Sequence, residues 1–160
     1  MNGISVKLTV DNLEKVLEEF AEQVDIGLEM IGMQAERHAK QNITANGTID
    51  TGLLRNSITY AVSGSSPELQ SYQNTGYSKR RKKSVPMISG SYSGTVGTEA
   101  DKAVYIGTNV EYAPYVEYGH QQYGGGGHVP AKPFIKPAAA DHNDEYERIM
   151  RKALIGNNNG

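Results

Sequence analysis

The sequence predicts an α+β fold, in which a long N-terminal helix and a C-terminal helix pack on a mainly antiparallel sheet that carries a long inserted loop or hairpin. Apolar residues recur at helical spacings of three and four over a long N-terminal stretch. Strand-like segments separated by turn residues fill the middle of the chain, and a second helical pattern closes it. Helices that flank a run of short strands are typical of α+β proteins.

The N-terminal segment begins with a predicted strand. Residues Ile4–Val10 alternate between apolar and polar side chains, as a half-buried strand does. A long amphipathic helix is predicted to follow, from about Asn12 to about Ile43. Gly27 and Gly32 each cost this helix about 1 kcal/mol relative to alanine, and this predicts a bend or a close backbone contact near them.

The middle of the chain carries shorter elements. A turn-rich link leads to a predicted strand at 57–62, and residues 63–90 are then rich in serine, glycine, asparagine and bases. This composition predicts an exposed insertion in the form of a loose hairpin. Two further strands, at 91–97 and 102–108, are predicted to pair as a hairpin around the turn at 98–101.

The C-terminal part is predicted to be mainly helical. Pro114 and Gly119 suit the start and the end of a single short helical turn, on which Tyr115 and Tyr118 share a face. After a glycine-rich loop, a last helix is predicted from about Pro137 to Ile155.

Length and composition exclude several classes of function. Residues 1–155 are predicted to form one domain, and 156–160 a disordered tail. The absence of cysteine excludes disulfides, thiolate nucleophiles and cysteine-ligated zinc. A net charge of −2 gives no overall attraction to nucleic acid or to anionic membranes. With no apolar run near the roughly 20 residues that span a bilayer, and no secretion signal, we expect a cytosolic site of synthesis and no membrane contact.

Motifs of enzymes and metal sites are missing from the sequence. The run of four glycines lacks the lysine and hydroxyl of a phosphate loop, and no serine lies in a GxSxG motif. His120 and His128 flank that run, but no carboxylate lies at ligand spacing from them. His38 is expected to pack on or beside the apolar face of the long helix. We therefore expect no catalytic residue, metal, cofactor or small-molecule substrate.

Five consecutive bases lie in the predicted insertion, namely Lys79, Arg80, Arg81, Lys82 and Lys83. Such a run can bind phosphate without sequence preference. In an isolated chain, a solvated loop that resists aggregation is the favoured interpretation. Repeated around a ring that encloses DNA, the same run would create a strong local field.

Tyrosines are concentrated between Tyr105 and Tyr118. Their rigid rings with a hydroxyl at the tip are enriched in protein interfaces, although the same rings would equally close the core under the short helix. Stacking on nucleic acid bases is a third interpretation, and Glu111 and Glu117, which are interleaved with the tyrosines, argue against it.

Three separated segments, taken in order after the long helix, resemble a known family. They are TIDTGLLRNSI at 48–58, YIGTNVEYAPYVEYG at 105–119 and PAKPFIKPA at 130–138. The ordered set resembles the tail-completion or neck proteins of long-tailed bacteriophages, which join head and tail. The resemblance implies an α+β subunit without catalytic activity that forms a homo-oligomeric ring of six copies at the head-proximal end of the tail.

The resemblance also implies a location, partners and site residues. It implies assembly in the host cytoplasm, a place in the virion at the head–tail junction, contacts with other neck and tail proteins, and a DNA passage that Lys79–Lys83 would face. The residues that match the family's DTG-and-arginine, tyrosine-and-glycine and PF-proline elements are Asp50, Thr51, Gly52, Arg55, Ala113, Pro114, Tyr115, Glu117, Gly119, Pro133, Phe134 and Pro137. Leu53 stands where a polar or charged residue is expected, and the family pattern predicts neither the insertion nor the glycine run.

Physical roles follow for several of these residues. Asp50 can accept backbone hydrogen bonds in its turn, and Gly52 permits an unusual dihedral angle. Arg55 offers a fork suited to a carboxylate, for which Glu117 is a candidate partner. Phe134, held between prolines, would be a rigid hydrophobic anchor for docking. The predicted subunit or partner interface comprises Asp50, Arg55, Tyr112, Tyr115, Glu117, Tyr118 and Phe134.

The sequence leaves three functions open. A structural ring subunit of the virion is favoured. A monomeric or dimeric nucleic-acid-binding protein that uses Lys79–Lys83 is the alternative, and a small hydrolase with an unrecognised site is the third.

Overall fold

A computed structural model describes residues 12–155 of the protein. The strand predicted at Ile4–Val10 and the tail predicted at 156–160 lie outside these described residues. The helices of the described part are α1 (Leu13–Ala45), α2 (Leu53–Ser57), α3 (Ala113–Tyr118), α4 (Ile135–Ala140) and α5 (Asn143–Ile155). Its strands are β1 (Thr59–Val62), β2 (Ser71–Gln73), β3 (Tyr77–Ser78), β4 (Lys83–Ser84), β5 (Ser89–Ser91), β6 (Val104–Gly107), β7 (His120–Gln121) and β8 (His128–Val129). The α+β prediction, with a long N-terminal helix, a C-terminal helix and antiparallel strand pairing, is confirmed.

Helix α1 is the element on which the rest of the fold packs. Leu28, Ala35, Ala39 and Ile43 are buried at spacings of seven and four residues, so they share one face of the helix. That face contacts β1, β6, α4 and α5. His38 is buried beside it, as expected from its position in the helical pattern.

Both interior glycines of α1 lie where another element approaches closely. A Cβ at Gly32 would overlap the ring of Tyr60 on β1, and a Cβ at Gly27 would lie 2.7 Å from the sulfur of Met150 on α5. The predicted close contacts are therefore confirmed. The Tyr60 hydroxyl donates a 2.9 Å hydrogen bond to Glu29 on α1, and burial, with this bond, raises the pKa of Tyr60.

The described strands form four antiparallel ribbons of two strands each: β1 with β6, β2 with β5, β3 with β4, and β7 with β8. In the first ribbon Thr59 lies opposite Gly107, and Val62 lies opposite Val104. Every residue of β1 is buried, because α1 packs against this strand along its length. The β1–β6 ribbon is consequently the one that belongs to the core.

One predicted strand pairing is wrong. Residues 91–97 do not pair with 102–108; instead, β6 pairs with β1, and β5 pairs with β2. Gly94 and Gly97 have φ angles of 81° and 62°, which an extended strand cannot contain. Val96 instead exchanges backbone hydrogen bonds of 2.8 and 3.0 Å with Gly64 and Ser65. The sequence pattern identified local extended character but not the long-range partner.

Residues 71–91 form a double ribbon, which we call the hairpin arm. The β2–β5 ribbon is its base, and the β3–β4 ribbon lies further out. Buried Asn74 joins the two, because its amide donates 3.0 Å to the carbonyl of Pro86 and its oxygen accepts from the backbone N–H groups of Gly76 and Ile88. The predicted insertion thus contains a hairpin with specific internal hydrogen bonds.

The hydrophobic core lies between the C-terminal half of α1 and the short helices. Its buried members are Ala39, Ile43, Leu53, Leu54, Ile58, Val110, Ala113, Phe134 and Ala138. Leu53, which departs from the family pattern, is among them, so an apolar side chain suits this position. The core therefore fixes the orientation of α2, α3 and α4 relative to α1.

Candidate assembly interface

Helix α3 presents its tyrosines to solvent. Ala113 and Glu117 are one helical turn apart and both are buried, so they define the inner face. Tyr115 and Tyr118 lie on the outer side, with 58% and 73% of their surface exposed. Pro114 stands at the start of the helix, and Gly119 follows its end with a φ of 74°, as predicted.

The glycine run adds another tyrosine to this exposed region. Strands β7 and β8 are joined by a turn in which Gln122 donates a 2.9 Å backbone hydrogen bond to Gly127, and Tyr123 in this turn is fully exposed. The His120 ring packs edge-on against Tyr115 at 5.4 Å between ring centroids. We refer to the exposed set Tyr112, Tyr115, Tyr118 and Tyr123 as the tyrosine surface.

Glu117 does not belong to the tyrosine surface, so its predicted interface role is wrong. Its carboxylate is buried and accepts hydrogen bonds from the backbone N–H groups of Phe134, Ile135 and Lys136, at 2.7, 3.0 and 2.9 Å. These N–H groups begin α4 and have no partner within that helix. Glu117 therefore joins α3 to α4 within one subunit and is not the partner of Arg55.

Phe134 is also wrongly predicted as an interface anchor. Its side chain has 0% exposure and lies in the core cluster. The side-chain amide of Asn42 on α1 donates a 3.1 Å hydrogen bond to the Phe134 carbonyl, which fixes the backbone as well. The prolines around Phe134 thus direct it into its own subunit.

Asp50 anchors the hairpin arm rather than its own turn. The hydroxyl of Ser78 and the backbone N–H of Arg80 donate to its carboxylate at 2.7 and 2.9 Å, and the Lys79 N–H donates to its carbonyl at 3.3 Å. The hydrogen bond from Ser78 and, to a smaller extent, the one from Arg80 hold the pKa of Asp50 below its usual value. Gly52, at a φ of 80°, adopts the unusual dihedral predicted for it.

Replacing Asp50 with alanine is expected to speed hydrogen exchange of the Arg80 amide several-fold, because the Arg80 N–H loses the carboxylate that accepts its hydrogen bond. The Lys79 amide is expected to change less, because its acceptor is the backbone carbonyl of residue 50. In the unmodified protein the ionised carboxylate of Asp50 accepts the hydrogen bonds from Ser78 and Arg80, and its pKa is lowered. The anchor is therefore complete above pH 3.8, the usual value, and is lost as the pH falls through the lowered pKa. Exchange measured by NMR tests both statements.

Asp101→Ala is the matched control for that measurement. Asp101 accepts a 2.8 Å bond from the Thr98 N–H outside the arm, and its pKa is also lowered by Thr98. Its replacement is expected to leave exchange in the arm unchanged. Equal protection of the Arg80 amide in the Asp50→Ala variant and the unmodified protein would contradict the anchor.

Arg55 and the five bases are exposed. The Nε of Arg55 donates 3.3 Å to the hydroxyl of Thr44, and within residues 12–155 no carboxylate lies within ion-pair distance of Arg55. Lys79–Lys82 form the outer turn of the hairpin arm, where Lys82 has a φ of 51°, and Lys83 begins β4. The structure brings Asp50 to this turn, but it does not bring Arg55 or Glu117 to the tyrosine surface.

A histidine cluster between α1 and α5 was not predicted from the sequence. Nε2 of His38 is 2.8 Å from the Glu145 carboxylate, and Nδ1 of His142 is 3.8 Å from it. The His38 bond holds the pKa of Glu145 below its usual value. Although these ligand atoms lie within 4.8 Å of one another, the two rings are parallel and stacked at 3.5 Å. A metal ion bound by an imidazole lies near the plane of the ring, and two stacked parallel rings do not allow this for one shared ion. The arrangement therefore favours contacts that hold α1 against the start of α5 over a shared metal site.

The model of a family described as "Bacteriophage HK97-gp10, putative tail-component" matches residues 9–119. The chain belongs to this family. No curated protein and no solved structure matches it. The HK97-gp10 match contains α1, the hairpin arm and α3, and ends at Gly119. It therefore includes two of the three segments that carried the sequence resemblance, and not the one at 130–138.

Membership of the HK97-gp10 family identifies the chain as a bacteriophage tail component. This confirms the resemblance to phage tail proteins and indicates a structural role in the virion beside other tail proteins. In the described part of the chain, no helix is both long and apolar enough to cross a membrane.

Proposed function

We propose that this tail component is a tail-completion or neck subunit, which forms an oligomeric ring at the head–tail junction and leaves a passage for DNA. Six copies per ring follow from the resemblance described above. The observation that carries the proposal is the tyrosine surface, because its rings lie on the outside of a subunit whose core is already filled by other residues.

The tyrosine surface has the properties of a contact between proteins. Each aromatic side chain can bury about 150–250 Å², and rigid rings lose little conformational entropy on docking. Tyr112, Tyr115 and Tyr123 line one groove, and contiguous exposed apolar patches larger than a few hundred Å² mark contact sites on soluble proteins. Burial of Tyr115 and Tyr118 by a neighbouring subunit would therefore supply a substantial share of the association energy.

The geometry favours assembly over catalysis. The groove beside α3 is lined by Tyr112, Tyr115, Val116, His120, Gln121, Gln122 and Tyr123. Among the described residues this lining includes one imidazole but no carboxylate, lysine or serine. An acid–base pair or an activated nucleophile is therefore not assembled there.

The exposed basic turn supports a second candidate function, non-specific nucleic-acid binding. Five neighbouring positive charges around the outer turn of the hairpin arm can bind phosphate. Tight binding of DNA by the isolated monomer, with a strong dependence on salt, would favour this function over ring assembly.

Replacing both Tyr115 and Tyr118 with serine is expected to block joining of heads and tails while leaving the subunit folded. Two exposed rings contribute little to the core, but their loss removes the proposed contact. Complementation of a phage that lacks this gene, followed by electron microscopy, measures the effect. The expected micrograph shows filled heads and tails that stay apart, with at least about a tenfold loss of infectious particles.

Tyr105→Ser provides the matched control, because Tyr105 is an exposed tyrosine on β6 outside the tyrosine surface. This variant is expected to restore normal virions. Normal virions from the Tyr115 and Tyr118 double variant would contradict the proposal, provided that circular dichroism shows both proteins to be folded.

A further inference from the structure

The first turns of α1 present an apolar stripe that the described fold does not cover. Leu13, Val16, Leu17 and Phe20 are 54–58% exposed, and their spacing places them on one face of the helix. Every residue from 13 to 20 is exposed, whereas burial of α1 begins further along, at Gly27. This end of α1 therefore projects beyond the packed core.

The same end of α1 is acidic. Residues 13–22 contain four glutamates and one lysine, a net charge of −3. The lysine, Lys15, pairs with Glu19 at 3.7 Å. Glu14, Glu18 and Glu22 have no salt-bridge partner among the described residues. We call this surface, with its apolar stripe, the helix tip.

The hairpin arm carries the complementary surface. Residues 71–91 contain five bases and no acidic residue. Tyr77, Met87 and Ile88, which flank the basic turn in sequence, are exposed large apolar side chains. The arm therefore combines positive charge with apolar area, as the helix tip combines negative charge with apolar area.

A single chain does not bring these two surfaces together. Lys79 at the arm's basic turn shares a shallow cleft with Thr44, near the C-terminal end of α1. Phe20 lies 24 residues earlier on the same helix, a separation of about 36 Å at 1.5 Å per residue. The Asp50 anchor fixes the arm at that distant end. The two complementary surfaces lie at opposite ends of one helix, so they can contact each other only between two copies of the chain.

We propose that the hairpin arm of one subunit docks on the helix tip of the next copy of this chain. This inference rests on the proposed ring, and it names a contact that would close it. Contacts between two different surfaces of identical subunits are head-to-tail, and they generate rings when the rotation closes. Opposite charges orient the approach, and the apolar side chains supply the buried area.

The apolar side chains favour a protein partner for the arm over DNA. Met87 and Ile88 gain nothing from a phosphate backbone, whereas the stripe of the helix tip would cover them. The charge of the five bases does not favour the helix tip over DNA, because both partners are negatively charged. DNA binding is therefore an alternative outcome of the experiments below.

Paired cysteine variants report the contact directly, because the chain contains no cysteine of its own. Two variants of the chain, one with Leu17→Cys and the other with Met87→Cys, are expressed together in infected cells. In oxidised, assembled tails they are expected to give a disulfide-linked dimer of full-length chains. Leu17→Cys paired with Tyr105→Cys is the matched control, since Tyr105 is exposed outside both surfaces. About tenfold less cross-linking is expected from the control pair.

Charge reversal gives an independent measurement with the purified chain. Arg81→Glu, Lys82→Glu and Lys83→Glu together are expected to weaken self-association about tenfold in sedimentation, because three partly exposed charge pairs are lost. Glu14→Lys, Glu18→Lys and Glu22→Lys together are expected to do the same. Both reversals in one chain are expected to restore self-association, since each arm again meets a helix tip of opposite charge.

The outcomes separate this contact from the proposed ring. The 17–87 cross-link and restoration by the combined reversal support the contact. Rings in the tail without that cross-link overturn the contact and leave the ring, whereas tails that contain isolated copies overturn both. Unchanged self-association together with lost DNA binding in the arm variant would assign the bases to DNA and overturn the contact.

Discussion

Replacing Phe134 with alanine is expected to lower the free energy of unfolding by about 3–5 kcal/mol. The ring has 0% exposure and lies among core side chains from α1, α2 and α3. Its loss removes the transfer energy of a buried aromatic ring and leaves a cavity that the helices around it can only partly close. Urea denaturation of the full chain, followed by circular dichroism, measures the change.

Phe20→Ala is the matched control, because the chain contains only two phenylalanines. Phe20 is exposed on the helix tip, so its replacement is expected to change the unfolding energy by less than about 0.5 kcal/mol. The same variant is expected to weaken self-association. Equal unfolding midpoints for the Phe134 and Phe20 variants would contradict the placement of Phe134 in the core.

Replacing Glu117 with alanine is expected to cost about 3 kcal/mol, because the buried N–H of Phe134 and the part-buried N–H groups of Ile135 and Lys136 lose their acceptor. A buried donor left without a partner costs about 1–3 kcal/mol. Glu117→Gln keeps one acceptor oxygen and is expected to cost less. Both values are measured by urea denaturation.

Glu111→Ala provides the control for the Glu117 variants. Glu111 is an exposed glutamate just before α3, so its loss is expected to be nearly neutral. An alanine at position 117 that is tolerated as well as one at 111 would show that the carboxylate does not support α4.

Elements that depend on local pattern were predictable. The predicted helix from Asn12 to Ile43 corresponds to α1 at Leu13–Ala45, because its apolar face repeats at helical spacing. The predicted last helix divides into α4 and α5 around Asp141 and His142. The start and end of α3 followed from a proline and a glycine whose backbone preferences are strong.

Features that depend on long-range contacts were not predictable in the same way. Strand β6 pairs with β1 across the whole hairpin arm, and the alternation of a strand does not identify its partner.

The burial of Glu117 did leave a local signal in the sequence. Glu117 lies four residues after Ala113, so both residues lie on the same face of α3. If Ala113 faces inward, Glu117 must also face inward, while Tyr115 and Tyr118 face outward.

Phe134 illustrates why an apolar motif alone does not distinguish a core from an interface. Prolines on either side restrict the backbone equally well for docking on another subunit and for packing in the same one. The deciding contacts come from Asn42 on α1 and Glu117 on α3, which are distant in sequence. Only the folded arrangement brings them to the Phe134 backbone.

The location of the tyrosine surface in the assembled particle is the central claim. A cryo-electron microscopy map of the head–tail region, at a resolution that shows side chains, tests it most directly. We expect a ring of this subunit in which another subunit covers Tyr115 and Tyr118. A map in which both rings face solvent, or in which the chain forms no ring, would contradict the claim.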